Sequence, residues 1–172
     1  MKKENIMNGQ FNHGFTLIEL LVTMTIAAIL LAIGVPSYQS ITTSTRMSGE
    51  INALRIDTNF ARSEAIKRGQ SVSVCPSANP LAATPVCDPA MNWSTGWVVF
   101  GPAAQVLRIS SGVTHGDTQT GGAAPGPVFS PVGYTQFTGT VTLHNSNNDV
   151  DQRRCLVFAT GTSTMQKGAA CP

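Results

Sequence analysis

Apolar and polar positions are distributed unevenly along the chain. From Phe15 to Val35 the sequence reads FTLIELLVTMTIAAILLAIGV, 21 residues that carry one charge, Glu19. As a helix this run would extend ~32 Å at 1.5 Å per residue, enough for a hydrocarbon layer of ~30 Å. A soluble helix keeps a polar face, and this run has almost none. Thr16, Thr23 and Thr25 can return their hydroxyl bonds to the helix's own carbonyls. Beyond Pro36, which removes one backbone donor and predicts a kink, the pattern changes. Ile41, Met47, Ile51, Leu54, Ala61 and Ala65 recur at helical steps, with Arg46, Glu50, Arg55, Asp57, Arg62, Glu64, Lys67 and Arg68 mostly between them. Lys67 and Arg68 give a cationic last turn, and Gly69 is a C-cap residue. A helix from Phe15 to Arg68 would hold 54 residues and reach ~81 Å. Ordinary globular helices are far shorter, so the amphipathic half must lay its apolar stripe on the rest of the chain.

Residues 70–172 read differently. Short β-type runs are separated by Gly, Pro, Ser and Asn clusters. Strands are predicted at Ser71–Val74, Gly96–Phe100, Val106–Ile109, Thr138–His144 and Cys155–Ala159, with a weak one at Ser163–Lys167. Gly101 to Ala104 would join the second and third as a hairpin. Ser110 to Pro131 is rich in Gly, Pro, Thr and Ser and predicts loops. The expected core is Val72, Val74, Trp97, Val99, Leu107, Ile109, Val141, Leu143, Leu156 and Phe158, resting on Ile51 and Leu54. The fold class is therefore α+β, one long N-terminal helix against a small antiparallel sheet.

Composition narrows the function. The chain has 172 residues, 12% charged and 42% hydrophobic, with a net charge of +2. It can bury apolar surface, and it lacks the basic excess of a dedicated nucleic-acid binder. The four acidic residues from 70 onward are balanced by four basic ones. All four cysteines, Cys75, Cys87, Cys155 and Cys171, lie there. Lys2 and Lys3 precede the apolar run and set the N-terminus in the cytoplasm, which puts the cysteines in an oxidising compartment. Three pairings are possible; Cys75–Cys87 and Cys155–Cys171 are favoured because each closes a local loop, each worth ~3 kcal/mol on the loop-entropy model. Metal binding is the competing use of these residues. No C-x-x-C spacing exists, and His13, His115 and His144 are far apart in sequence. There is no G-x-S-x-G, H-E-x-x-H or Walker lysine loop, so no enzyme, cofactor or metal centre is expected. Asn92-Trp93-Ser94 has the form of a glycosylation triplet, a pattern common by chance.

A secretory signal peptide, cut after Gly34, is one reading of the N-terminus. The apolar run is longer than the ~7–15 residues of the usual signal and holds a carboxylate. Gly14-Phe15-Thr16-Leu17-Ile18-Glu19-Leu20 instead resembles the class III signal of type IV pilins and type II secretion pseudopilins. The resemblance implies that a prepilin peptidase cuts between Gly14 and Phe15 and that the new amine of Phe15 is methylated. The leader would be residues 1–14, leaving a mature chain of 158 residues. Glu19 then stands fifth, where the family keeps its glutamate, and Pro36 twenty-second, where many members have a helix-bending proline. An unpaired carboxylate in an apolar interior is costly, and a neighbouring subunit's N-terminal amine would relieve it. Glu19 is thus expected to be a filament-assembly contact.

Phe60-Ala61-Arg62-Ser63-Glu64-Ala65-Ile66-Lys67-Arg68-Gly69, Cys75-Pro76-Ser77 and Trp93-Ser94-Thr95-Gly96-Trp97-Val98-Val99-Phe100 are similar to the GspH/FimT(FimU)-type minor pilins. The expected organisation is a leader at 1–14, a membrane and filament-core helix at 15–35, its amphipathic continuation at 36–69 and a β-rich outer head at 70–172. The chain would sit in the inner membrane and then join major and minor pilins, near the tip of a type IV pilus. Two alternatives remain: a type II secretion pseudopilin of GspH type, and a DNA-binding minor pilin for transformation. DNA-binding relatives typically carry G-R-x-R near the C-terminus, where this chain reads Gly161-Thr162-Ser163-Thr164. The remaining candidates for DNA contact are Arg153, Arg154 and Lys167.

Overall fold

A computed structural model describes residues 14–122 and 126–171. Of the expected leader, residues 1–14, all but Gly14 lie outside the described residues, Lys2 and Lys3 among them. The chain divides into two compact units, Met1–Ser40 and Ile41–Pro172. One helix, α1 (Leu17–Arg68), begins in the first and ends in the second. It continues through Pro36, whose ring leaves the Ala32 carbonyl without its usual partner. Its end is a Schellman cap: Gly69 takes φ +63°, its N–H donates to the Ile66 carbonyl, and the Gln70 N–H donates to the Ala65 carbonyl.

Among the described residues the second unit has eight strands: β1 (Val72–Pro76), β2 (Gly96–Phe100), β3 (Val106–Ser111), β4 (Thr118–Gly121), β5 (Val128–Phe129), β6 (Gly139–His144), β7 (Arg154–Ala159) and β8 (Thr162–Lys167). They form two four-stranded antiparallel sheets, ordered β3-β2-β1-β5 and β4-β6-β7-β8. One core joins them to the helix: Met47, Ile51, Leu54, Ala61 and Ala65 of α1 meet Val72, Val74, Trp97, Val99 and Phe129 of the first sheet and Val141, Leu143, Leu156 and Phe158 of the second. Disulfides link Cys75 to Cys87 and Cys155 to Cys171, the two short-range pairings.

Three expectations are corrected. There are two sheets, not one. The stretch from Ser110 to Pro131, read as loops, holds β4 and β5. β4 has the sequence TQTG and offers no apolar signal; backbone pairing with β6 makes it a strand. Ile109, expected in the core, is 40% exposed. Leu107 is the bulged residue between the pairs Val99↔Arg108 and Phe100↔Val106. The bulge shifts the alternation so that Arg108, not Ile109, stands opposite core residue Val99. Ile109 instead stands opposite Val98, which in turn pairs with Cys75.

Candidate functional site

Two regions carry chemistry. The first is the start of α1. Thr16 is its N-cap: the Glu19 N–H donates to Thr16 Oγ1 at 3.2 Å. Thr16-x-x-Glu19 is therefore a capping-box sequence, which places the carboxylate in the first turn, where the helix dipole favours negative charge. The hydroxyls of Thr23 and Thr25 donate to the carbonyls of Leu20 and Val22 at 2.9 and 2.8 Å. The three threonine hydroxyls of this apolar stretch are thus engaged locally. Residues 14–40 are exposed, and the helix is long and apolar enough to cross a membrane. Exposing so many Leu, Ile, Val and Met side chains to water is unfavourable, so this surface is built for lipid or for other helices.

The second region is the set of polar ties between the helix and the sheets in the second unit. Asp57, 3% exposed, accepts from Trp97 Nε1 at 2.8 Å and pairs with Arg108 Nε at 3.0 Å. The Arg108 guanidinium also lies over the Phe60 ring, 5.5 Å from its centroid. Asp117, its side chain fully buried, pairs with Arg46 at 2.7 Å and accepts from the Ser146 N–H. Glu50 accepts from the N–H and hydroxyl of Thr114.

Arg154, 8% exposed, reaches back to α1, donating from Nη2 to Ser44 Oγ at 2.7 Å and from Nε to Ser48 Oγ at 3.2 Å. Its Nη1 faces the carbonyls of Asp151, Gln152 and Arg153. Strand pairing brings Arg154 beside Lys167 at one end of the β7–β8 hairpin. The three candidate DNA contacts are near one another in the chain trace, but Arg154 is spent inside the fold. Lys167 is exposed, and Arg153 is half-buried with Nη2 on Asn148 Oδ1. This clamp escaped sequence reasoning because its partners stand more than a hundred residues upstream.

His13 lies outside the described residues, and the other two histidines bond different neighbours. His115 Nδ1 bonds Thr114 Oγ1 and His144 Nδ1 bonds Asn148 Oδ1. Among the described residues no three His, Cys, Asp or Glu side chains gather as a metal site would need. Asn92 Oδ1 is engaged by the Ser94 N–H in a local turn.

A capped apolar helix that ends in a cystine-linked β head defines a pilin-like subunit. The family model of the prokaryotic N-terminal methylation motif matches residues 10–35, and that of the type II transport protein GspH matches residues 50–162. The chain belongs to the GspH family of minor pilins and pseudopilins. Two crystal structures of the type IV minor pilin FimU from Pseudomonas aeruginosa share its fold. One has a TM-score of 0.59 at 16% identity and covers 77% of this chain and 96% of FimU. The other has 0.55 at 19%, with coverages of 73% and 96%. Comparison with curated proteins found no match.

Proposed function

We propose that this chain is a minor pilin of a type IV pilus. A prepilin peptidase removes residues 1–14, the amine of Phe15 is methylated, and α1 holds the subunit in the inner membrane, N-terminus in the cytoplasm and head in the periplasm. The subunit then enters the filament near its tip and acts in assembly. The observation that carries this reading is Gly14-Phe15 at the start of an apolar run, residues 15–35, whose one charge is Glu19 in the capped first turn of α1, within the segment that the methylation-motif model matches. Removing the leader creates an ammonium at Phe15, and the Glu19 carboxylate of an adjacent subunit is its natural partner in a water-poor helix bundle. Transfer from lipid to such a bundle needs no soluble intermediate, because the apolar face is covered throughout.

Two cystines in the head suit a subunit that persists outside the cell, which favours a pilus over a secretion pseudopilus. The DNA-binding alternative is weakened by the burial of Arg154, which leaves Arg153 and Lys167 as the outward cations of the expected set. The test is the N-terminus of the protein extracted from native membranes. Sequencing and mass spectrometry should find a chain that starts at methylated Phe15. A start at Met1 or Val35 would sink the proposal. Deletion followed by assays of twitching, secretion and transformation separates the three systems, and loss of twitching alone is the expected result.

A further inference from the structure

A pocket of about 210 Å³ lies between α1 and the β7–β8 turn. Arg55 and Arg62 stand on its rim, seven residues apart on α1, which is two helical turns or ~10 Å along the axis. Neither pairs with a carboxylate among the described residues. Arg55 Nη1 rests 3.7 Å from Met165 Sδ, a weak acceptor, and Arg62 Nη1 donates to the Gly161 carbonyl at 3.1 Å. Most of the ten guanidinium donors are therefore uncommitted within the fold.

The walls sort by chemistry. Phe129 and Phe158, nearly fully buried, form an apolar floor. Thr58, Thr135, Thr162 and Ser163 bring hydroxyls. Thr135 Oγ1 accepts from the Phe137 N–H, so its own hydrogen is available to donate. Gly161 (φ +78°) turns the β7–β8 hairpin at the pocket's edge, where a β-carbon would meet the Tyr134 ring at 3.6 Å. No acidic residue lines the pocket.

We propose that this pocket is a receptor for one carboxylate borne on a short apolar stem and supplied by a neighbouring protein chain. Paired guanidinium groups recognise oxyanions through fixed forks of donors. The volume exceeds that of a bare oxyanion, since a cavity of ~150 Å³ already holds benzene, and the phenyl floor fits methylenes or a ring. A nucleic acid is disfavoured, because a polyanion needs a row of cations and Arg55 and Arg62 are the two that line this pocket. The reading as a filament subunit supplies only the source of the carboxylate; the chemistry of the pocket stands without it.

The test uses the full chain in detergent micelles and follows the arginine Nε–H resonances by NMR. Acetate, 3-phenylpropionate and inorganic phosphate are titrated at constant ionic strength. Saturable shifts of Arg55 and Arg62 with 3-phenylpropionate are expected, with acetate weaker by about tenfold or more for want of the apolar stem. Arg55→Gln and Arg62→Gln should each weaken binding by about tenfold. If either variant misfolds, Arg55→Lys and Arg62→Lys keep the charge, remove the fork and should show the same loss. Absence of a saturable shift in the unsubstituted chain overturns the proposal. So do binding undiminished in the variants, phosphate binding as tight as 3-phenylpropionate, or a single-stranded oligonucleotide that shifts these arginines where carboxylates do not. A negative result leaves the pilin reading intact, since that reading is decided by the N-terminus of the membrane-extracted chain.

Discussion

Single buried polar side chains hold the head on the helix, and their removal should cost more than surface position suggests. Arg154→Ala deletes the bonds to Ser44 and Ser48 and leaves those hydroxyls and three carbonyls short of a donor. A loss of about 3 kcal/mol is expected, the scale of charge-assisted bonds within a fold. Chemical unfolding of the full chain in detergent measures it, and a change below ~1 kcal/mol would contradict the clamp. Arg154→Ala is accordingly a poor probe of DNA binding, because any lost affinity would reflect lost structure; Arg153→Ala is the clean substitution. Gln119 poses the opposite case. It is fully buried, and neither amide atom of its side chain has a hydrogen-bond partner among the described residues. Gln119→Met keeps the length and removes the unsatisfied groups, so a gain of about 1 kcal/mol is expected, read as a raised melting temperature. At the helix end, the Arg68 hydrogen bond, aided by Lys67, holds the Glu64 carboxyl below its ordinary range. A carboxyl whose pKa is lower when folded stabilises the fold above its unfolded pKa, and that contribution fades as pH falls through the carboxylate range. Glu64→Gln should flatten that part of the melting-temperature profile against pH, by a small amount because Lys67 and Arg68 are exposed.

At the scale of elements, pairing and register decide what side-chain pattern does not. The long helix and the strands β2, β6 and β7 were legible because apolar residues at helical or alternating spacing report burial directly. β4 was illegible, since three polar residues and a glycine become a strand only when β6 lies alongside and Trp93 and Ser94 bond the Gln119 carbonyl. Ile109 misled because the alternation that assigned it inward was broken by one inserted residue, Leu107, and the ion pair with Asp57 holds Arg108 on the inner side. The N-terminal motif was legible as a linear signal, whereas the Arg154 clamp and the Arg55–Arg62 pocket exist only after the chain folds back.

Close approach between elements gives a further prediction. A β-carbon at Gly112 would overlap the Ser94 carbonyl, to which the Val113 N–H also donates. Gly112→Ala should therefore destabilise the head by ~1–3 kcal/mol, whereas the same change at Gly49, where a β-carbon meets nothing within 4 Å, should be neutral or slightly stabilising. Equal effects at the two positions would show that the Ser94–Val113 junction is looser than its geometry.

For the whole molecule, the decisive contrast is between Glu19 as a local cap partner and Glu19 as an intersubunit contact. In this structure the cap bond is made by Thr16 Oγ1 and the backbone N–H of Glu19, so replacing the Glu19 side chain leaves it in place. A purely local role predicts that Glu19→Ala and Glu19→Gln lower helix stability by a few tenths of a kcal/mol, the worth of one charge near a helix terminus, and otherwise change little. The intersubunit role makes a different demand. The cationic amine of a neighbour's Phe15, withdrawn from water, needs a carboxylate, and an amide of the same shape cannot supply the charge. Both variants should then be cut normally between Gly14 and Phe15 and remain in the membrane fraction, yet be under-represented in sheared filaments by about tenfold relative to the unsubstituted chain, a deficit equivalent to ~1.4 kcal/mol. Quantitative mass spectrometry of filament and membrane fractions gives the ratio. Incorporation at the unsubstituted level in both variants would assign Glu19 to the helix terminus alone and remove the amine–carboxylate contact from the account of assembly.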